Sequence, residues 1–363
     1  MAQTKSKRIF YFDALRAFAI IAVVLIHVFN TTQTLAAPGY ATIPSLKWFV
    51  SCFLGATFRV GVPLFLMLSG ALTLGRVWDI KSFLKKRLPR VVIPFVFWGF
   101  VMSVVVVLAA HYFNLFDTID PVNIGNFLHY LYDSYMADNK GFTSLWFFWM
   151  ILGIYLIAPI FNKWVLNSGL EEVEYFLVLW LITCIFDFTL FIDFPIKLTY
   201  FSGPIGLFVA GYYFANTKRK IFNSPYWAIV ICLVGFLLAV LSMYLLSNTK
   251  EFFVMDRYSI MNVVLAIGIF LLFRNFSKFN FHPKFLYDSN GWFRKIVLIL
   301  ATYSYGMYLV HRALLALFNT YFRHELSYGP LVIVTFLLTF FTTWAIMAIC
   351  NRIPYLNELI GVK

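Results

Sequence analysis

Apolar runs separated by short polar segments follow one another along almost the whole chain. An α-helix needs roughly 17–25 residues to cross the hydrocarbon core of a bilayer. Runs of about that length lie at residues 11–30, 48–75, 91–113, 144–166, 174–192, 199–215, 226–247, 258–274, 297–318 and 329–350. The pattern predicts an all-α fold, a polytopic membrane helix bundle of about ten transmembrane helices. The sequence shows no soluble domain and no internal repeat, so we expect residues 1–363 to form a single integral-membrane domain.

Composition supports this prediction and excludes other classes of protein. Of 363 residues, 61% are hydrophobic and 12% are charged, whereas about a quarter of the residues in globular proteins are charged. The net charge of +13 can indicate nucleic-acid binding, but the lysines and arginines form short clusters between apolar runs, as the positive-inside rule arranges them. We therefore expect membrane lipids around the protein and no nucleic-acid partner. The four cysteines have no close spacing, which predicts neither a zinc site nor a disulfide framework.

The basic clusters also predict how the helices are oriented. One cluster precedes the first span, and the largest lies between the second and third spans, at residues 76–90. Clusters of this kind belong on the cytoplasmic side. Alternation of the spans puts the later clusters, at 218–220 and 274–295, on that same side. We expect an even number of spans and both termini in the cytoplasm.

The first span carries Arg16 near one end and His27 near the other. Eleven helical residues advance about 16 Å and complete about three turns, so both side chains face the same side at different depths. An ionisable group in hydrocarbon costs at least about 2.5 kcal/mol, which makes the pair a candidate functional site. The alternative is that Arg16 anchors the helix at the interface and His27 is a satisfied polar group near the far surface.

Two further ionisable residues are expected at a depth similar to that of His27. Arg59 lies in the outer half of the second span, and His311 lies about two-thirds of the way out along the ninth. A polar pocket shared by these residues and His27 is a stronger functional argument than any one of them alone. The alternatives are that Arg59 pairs with a neighbouring carboxylate and that His311 marks the outer boundary of its span.

Arg87 and Arg90, in the cytoplasmic cluster, are three residues apart, so a helical turn presents both guanidinium groups together. Arginine makes bidentate hydrogen bonds to phosphate oxygens, which suits the nucleotide end of coenzyme A or an anionic lipid head group. Positive-inside topology alone also explains such a cluster. On the outer side, Trp146 belongs to an aromatic group typical of the membrane interface, and the segment 114–143 is either an acceptor-facing loop or a solvated connector.

An ordered set of motifs resembles a known family. The set comprises Arg16 and His27 with ten residues between them, Pro63 to Gly70, Arg87-x-x-Arg90, Leu145-Trp146-Phe147, and Ser304 to His311. It resembles the acyltransferase-3 family of membrane O-acyltransferases over nearly the whole chain. Residues 58–65 make it most similar to the enterobacterial-common-antigen O-acetyltransferase type. One departure is Ser144, where related sequences often have a histidine.

The resemblance implies an acyl-CoA-dependent O-acyltransferase, of the O-acetyltransferase kind, in a bacterial plasma or inner membrane. The donor would be acetyl-CoA or another acyl-CoA reached from the cytoplasm, the acceptor a hydroxyl of an envelope glycan or glycolipid, and no metal is expected. His27 is our candidate general base, and Arg16 or Arg59 would stabilise the oxyanion, with His311 beside them. The phosphates would bind to Arg87 and Arg90. The pantetheine path would be lined by Ser69, Ser304 and Tyr305, and Trp146 would lie on the acceptor side.

The competing function is transport or export of a lipid-linked or secreted polysaccharide, which also uses intramembrane charges. Transporters often have paired, broken helices in their two halves, and the break at Gly61 to Pro63 has no clear counterpart in the second half of the chain. The sequence leaves open the acceptor, the acyl group, whether the protein is a homo-oligomer, and whether an acyl-histidine intermediate forms.

Overall fold

The computed structural model describes residues 8–36, 53–55, 57–113, 124–136, 145–192, 203–246, 256–279, 288 and 291–362. Within these ranges every regular element is helical, so the all-α prediction is confirmed. The α-helices are α1 (Phe10–Ala36), α2 (Gly61–Thr73), α3 (Ile80–Phe113), α4 (Ile124–Met136), α5 (Trp146–Asn167), α6 (Leu170–Ile185), α7 (Pro204–Asn216), α8 (Pro225–Leu246), α9 (Ile260–Asn275), α10 (Trp292–Phe322), α11 (Tyr328–Cys350) and α12 (Leu356–Leu359). A π-helical turn, Phe186–Leu190, extends α6.

Each of the ten predicted spans overlaps one of these helices. Among the described residues, seven helices are long and apolar enough to cross a membrane: α1, α3, α5, α6 with its π-helical turn, α8, α9 and α11. The shorter helices α2 and α7 have 13 residues each. α10 has 31 residues but carries several charged and polar side chains, including His311 and Arg312. The protein is therefore a polytopic helical membrane protein, and a total of ten spans with both termini inside stays a prediction.

Helix α1 lies at the centre of the bundle, where it packs against α2, α9, α10 and α11. Its residues Leu15, Ala19 and Ile20 are completely buried. Because neighbouring helices surround it, α1 can carry Arg16 and His27 at membrane depth without exposing them to lipid tails.

Helices α2 and α7 cross at two glycines. A Cβ atom on Gly70 would collide with the carbonyl oxygen of Phe208, and one on Gly211 would collide with that of Met67. Small residues allow membrane helices to approach this closely. The contact fixes the position of α2, whose Ser69 is a candidate site residue.

The second predicted span is not one continuous helix, and its break lies just before the stretch from Gly61 to Pro63 at which the sequence indicated one. Residues 57–58 are helical, a turn follows at Arg59 and Val60, and α2 begins only at Gly61. A Cβ on Gly61 would lie 2.7 Å from Cγ2 of Val23 in α1. The turn therefore places Arg59 at the N-terminal end of α2, beside the central helix.

The outer segment 114–143 was expected to be a loop or a connector, and that expectation is wrong for residues 124–136. These residues form α4, which packs against α3 and donates a hydrogen bond from the Tyr135 hydroxyl to the Val96 carbonyl. His129 and Asp133 form an ion pair of 3.4 Å along this helix. Asp117, Asp120, Asp138, Lys140 and Ser144 lie outside the described residues.

The segment 351–362, which follows α11, folds back onto α3 and α10. The Trp98 indole donates a hydrogen bond of 3.3 Å to the carbonyl of Ile360, which is fully buried. Gly361, with φ of +77°, lies close to the Tyr305 ring and to Pro94. We call residues 351–362 the C-terminal segment; it forms one wall of the cavity described next.

Candidate active site

A cavity of about 320 Å³ lies between α1, α2, α3, α5, α10 and the C-terminal segment. We call it the inner cavity. Its lining includes six residues that the sequence singled out, from four different helices: Arg16, Ser69, Arg87, Arg90, Ser304 and Tyr305. The structure thus brings together the residues expected to bind the phosphates and to line the pantetheine path.

Two of the three arginines in the inner cavity have no carboxylate partner. Arg16 lies 3.7 Å from Asp13, and Arg8 holds the same carboxylate at 2.7 Å, a hydrogen bond that raises the pKa of Arg8. Arg87 instead donates to the Leu72 carbonyl at 3.3 Å, and neither it nor Arg90 has a carboxylate within 4.0 Å among the described residues. Their guanidinium groups are therefore available for an anion.

The hydroxyl groups of the inner cavity mostly bond to the protein backbone. Ser304 donates to the Ala301 carbonyl at 2.9 Å within its own helix. Tyr305 donates to the Val91 carbonyl at 2.9 Å and so ties α10 to α3. Since both donors are used, these residues offer a ligand only the lone pairs of their oxygens.

A row of aromatic rings leads from the inner cavity toward the histidines. Phe147 and Tyr308 line the cavity, and their ring centroids are 4.9 Å apart. The Tyr308 ring is 5.5 Å from that of His311, and His311 is 5.1 Å from His27. The predicted proximity of the two histidines is present, one helical turn beyond the end of the cavity.

The hydrogen bonds of His311 define its tautomer. Its Nδ1 lies 2.6 Å from the Tyr308 carbonyl oxygen, which can only accept, so Nδ1 carries the proton. Nε2 is then left with its lone pair, and it is buried without a hydrogen-bond partner among the described residues. A buried polar atom without a partner is costly. His311 therefore presents an unprotonated ring nitrogen in the interior of the bundle.

His27 has the opposite tautomer. Its Nδ1 lies 3.3 Å from Nη1 of Arg312, which can only donate, so Nδ1 accepts and the proton is on Nε2. The two histidines in contact therefore differ: His311 offers a lone pair and His27 offers an N–H group. Arg312 was not a candidate from the sequence, although its position next to His311 was a signal.

Two more arginines lie on this side of the histidines. The Arg257 guanidinium covers the Trp146 ring at 3.7 Å from its centroid, and Arg257 is the charged group with the strongest electrostatic effect on Arg59. Both arginines also act electrostatically on His27. Sequence reasoning missed Arg257, which precedes α9 in an outer connection where basic residues are few. The indole face of Trp146, expected on the acceptor side, is occupied by this guanidinium.

The structure does not bring Arg16 and His27 to the same group of residues. Arg16 lines the inner cavity, whereas His27 contacts His311 and Arg312. Arg16 and His27 lie on one face of α1, and this face runs from the inner cavity to the histidine pair. In the part of the chain that the structure describes, no group of three or more histidine, cysteine or acidic side chains could hold a metal ion.

A comparison with protein families decides between the functional classes. A family model described as an acyltransferase domain, Acyl_transf_3, matches residues 9–350. The chain belongs to the acyltransferase-3 family. The match includes every candidate site residue and ends before the C-terminal segment. No curated protein and no solved structure matches the chain.

Proposed function

We propose that this acyltransferase-3 protein transfers an acyl group, most simply acetyl, from cytoplasmic acyl-CoA to a hydroxyl of an envelope glycan. The observation that carries the proposal is the arrangement of the site. A cavity lined by arginines without a carboxylate partner lies next to a histidine pair, and the packed rings of Phe147 and Tyr308 stand between them. A donor made in the cytoplasm and a glycan outside have to meet within the membrane, and this arrangement puts a donor-sized cavity close to candidate catalytic groups.

The donor would bind with its phosphates on Arg87 and Arg90, since guanidinium groups suit phosphate oxygens. Its pantetheine arm would then pass Ser69, Ser304 and Tyr305, which line the same cavity. This direction requires the basic loop to be cytoplasmic, as the positive-inside rule predicts. In its specific form, the proposal names acetyl-CoA as the donor and the bacterial cell membrane as the location. The acceptor would be like that of the enterobacterial-common-antigen enzymes.

The chemistry needs one group that takes a proton and one that stabilises negative charge. The acceptor hydroxyl gives its proton to a histidine nitrogen while its oxygen attacks the thioester carbon. A C–O bond forms, the C–S bond breaks with its electron pair on the CoA sulfur, and the histidine passes the proton to that thiolate. Arg16 or Arg59 would stabilise the intermediate oxyanion.

The sequence favours His27 as the base, whereas the hydrogen bonds favour His311. Nε2 of His311 has a lone pair and no partner, while Nε2 of His27 carries a proton. We therefore assign the proton transfer to His311 and a hydrogen-bond donation to His27. The His27 assignment remains a prediction, and one experiment separates the two.

Glutamine variants provide that experiment. A glutamine amide can replace the N–H donor of an imidazole, but it has no basic nitrogen. We expect H311Q to lower acyl transfer by about a hundredfold to ten-thousandfold, the range of a lost general base, and H27Q to retain more activity than H27A. The measurement is transfer from labelled acyl-CoA in inverted vesicles that contain the endogenous acceptor, with acyl-CoA binding as the test of folding. If H27Q loses more activity than H311Q, His27 is the base, and near-normal transfer by both variants would show that neither histidine takes the proton.

A further inference from the structure

Arg59 and Arg257 lack the partners that other arginines of this protein have. Arg8 lies 2.7 Å from Asp13, and Arg219 lies 2.7 Å from Glu174. Neither Arg59 nor Arg257 has an ion pair or a hydrogen bond among the described residues, and Nε of Arg59 is buried without a partner. Neither guanidinium group is therefore held by a carboxylate among these residues, and the two positive charges repel each other.

The nearest acidic group does not neutralise them. The Asp256 carboxylate accepts the backbone N–H of Tyr258 at 2.7 Å, and it is not within 4.0 Å of either arginine. Its electrostatic effect on Arg59 is smaller than that of Arg257. Two like charges held together at the edge of a low-dielectric interior are unfavourable unless a counter-charge binds between them.

Trp146 holds one of these guanidinium groups in place. Arg257 lies flat on the indole at 3.7 Å, a cation–π contact that fixes the side chain without using its N–H groups. Trp146 is adjacent to Phe147, which lines the inner cavity. The Arg257 guanidinium is thus held by an aromatic face, which leaves its N–H groups available to a ligand.

We propose that Arg59 and Arg257 form an anion subsite for the acceptor, so that the acylated glycan carries a negatively charged group near the hydroxyl that reacts. This inference rests on the proposed function and names its substrate class. The charged group is a carboxylate on a sugar or a phosphate ester, since both accept paired N–H bonds from guanidinium groups. Anchoring this group would place the neighbouring hydroxyl against His27 and His311.

The test compares charged and neutral sugars on the purified full-length protein in detergent at constant ionic strength. The probes are D-glucuronate for the carboxylate, glucose 1-phosphate for the phosphate and methyl glucoside as the neutral control, each titrated while the thermal midpoint is followed. We expect one of the charged sugars to bind at least about tenfold more tightly than methyl glucoside, because hydrogen bonds to charged groups contribute about 1.5–3 kcal/mol each. Tighter binding of D-glucuronate would identify the charged group as a carboxylate, and tighter binding of glucose 1-phosphate would identify it as a phosphate ester.

Variants of Arg257 test whether the preference for a charged sugar arises at the proposed subsite. R257Q should abolish the preference for the charged sugar, and R257K should retain part of it, because lysine keeps the charge and loses the planar geometry. The matched control is R323Q, since Arg323 is exposed at the end of α10 and bonds only to His324 among the described residues. Equal binding of charged and neutral sugars, or a preference that survives R257Q, would overturn the proposal.

Acyl-CoA binding, measured on the same samples, separates this proposal from the proposed function. If charged sugars bind through Arg257 but acyl-CoA does not bind, the donor assignment fails and the anion subsite stands. If acyl-CoA binds and is consumed but the sugars show no charge preference, the subsite alone is wrong. R59Q serves as a second variant, and retained acyl-CoA binding shows that it has folded.

Discussion

At the scale of single residues, Arg87 and Arg90 differ from the lysines beside them in where they lie. Arg87, which is half-buried, and Arg90, which is exposed, both line the inner cavity, whereas the exposed Lys85 and Lys86 do not. We expect R87A with R90A to weaken acyl-CoA binding at least about tenfold, because each removes a charge-assisted hydrogen bond. The double variant K85A with K86A, which removes the same charge from the same helix, should bind normally. Affinity measured in detergent checks both.

Lysine at the two arginine positions should restore acyl-CoA binding in part, since the ammonium group keeps the charge without the fork geometry. If K85A with K86A weakens acyl-CoA binding as much as R87A with R90A does, the interaction is only a general attraction of the donor to the basic helix. The phosphate site would then have to be sought elsewhere in the inner cavity.

Spacing in the sequence was sufficient to select Arg16, Arg87 and Arg90, because residues on one helix have a fixed relation to each other. It favoured His27 over His311 as the base without information on their tautomers. The tautomers behind the roles that we propose depend on Arg312 and on the Tyr308 carbonyl, and the hydrogen bond from Arg312 to His27 joins two helices that are far apart in the chain. A tautomer is a property of such contacts and not of a single helix.

At the scale of elements, the crossing of α2 and α7 depends on Gly70. We expect G70A to lower the thermal midpoint and the yield of monodisperse protein, since overpacking of this kind costs about 1–3 kcal/mol or more. G153A is the matched control, because a Cβ on Gly153 meets no atom within 4 Å and alanine favours a helix. Similar stability of the two variants would show that the close approach of α2 and α7 does not exist.

The helices were the part of the fold that the sequence predicted well. A membrane requires long apolar segments whose backbone groups bond internally, so their composition marks them directly. α4 was not found because its mixed polarity resembles that of a connector. Its contact with α5 is tertiary, since the Trp149 indole donates a hydrogen bond of 2.7 Å to the Tyr135 carbonyl. The glycine at position 61 marked the break in the sequence. The sequence did not show that the break places Arg59 at the N-terminal end of α2, beside α1.

At the scale of the whole molecule, seven of the ten predicted spans lie between the basic loop and the end of α10, and this odd number puts the two on opposite sides. We expect a cysteine at Lys85 to react with an impermeant maleimide only after permeabilisation of the cells, and one at Arg323 to react in intact cells. Both positions are exposed. The wild-type chain gives the background, since Cys184 is buried and Cys232 and Cys350 are half-buried. Labelling of both positions from the same side would mean that the number of intervening spans is wrong.

The C-terminal segment has a consequence for how this protein can evolve. Glu358 and Gly361 line the inner cavity, yet the family match ends at residue 350. A wall that lies outside the shared domain can change in sequence while the helices that carry the arginines and histidines stay the same. Substitutions among these dozen residues would therefore change the shape of the inner cavity without altering the helices that form its other walls.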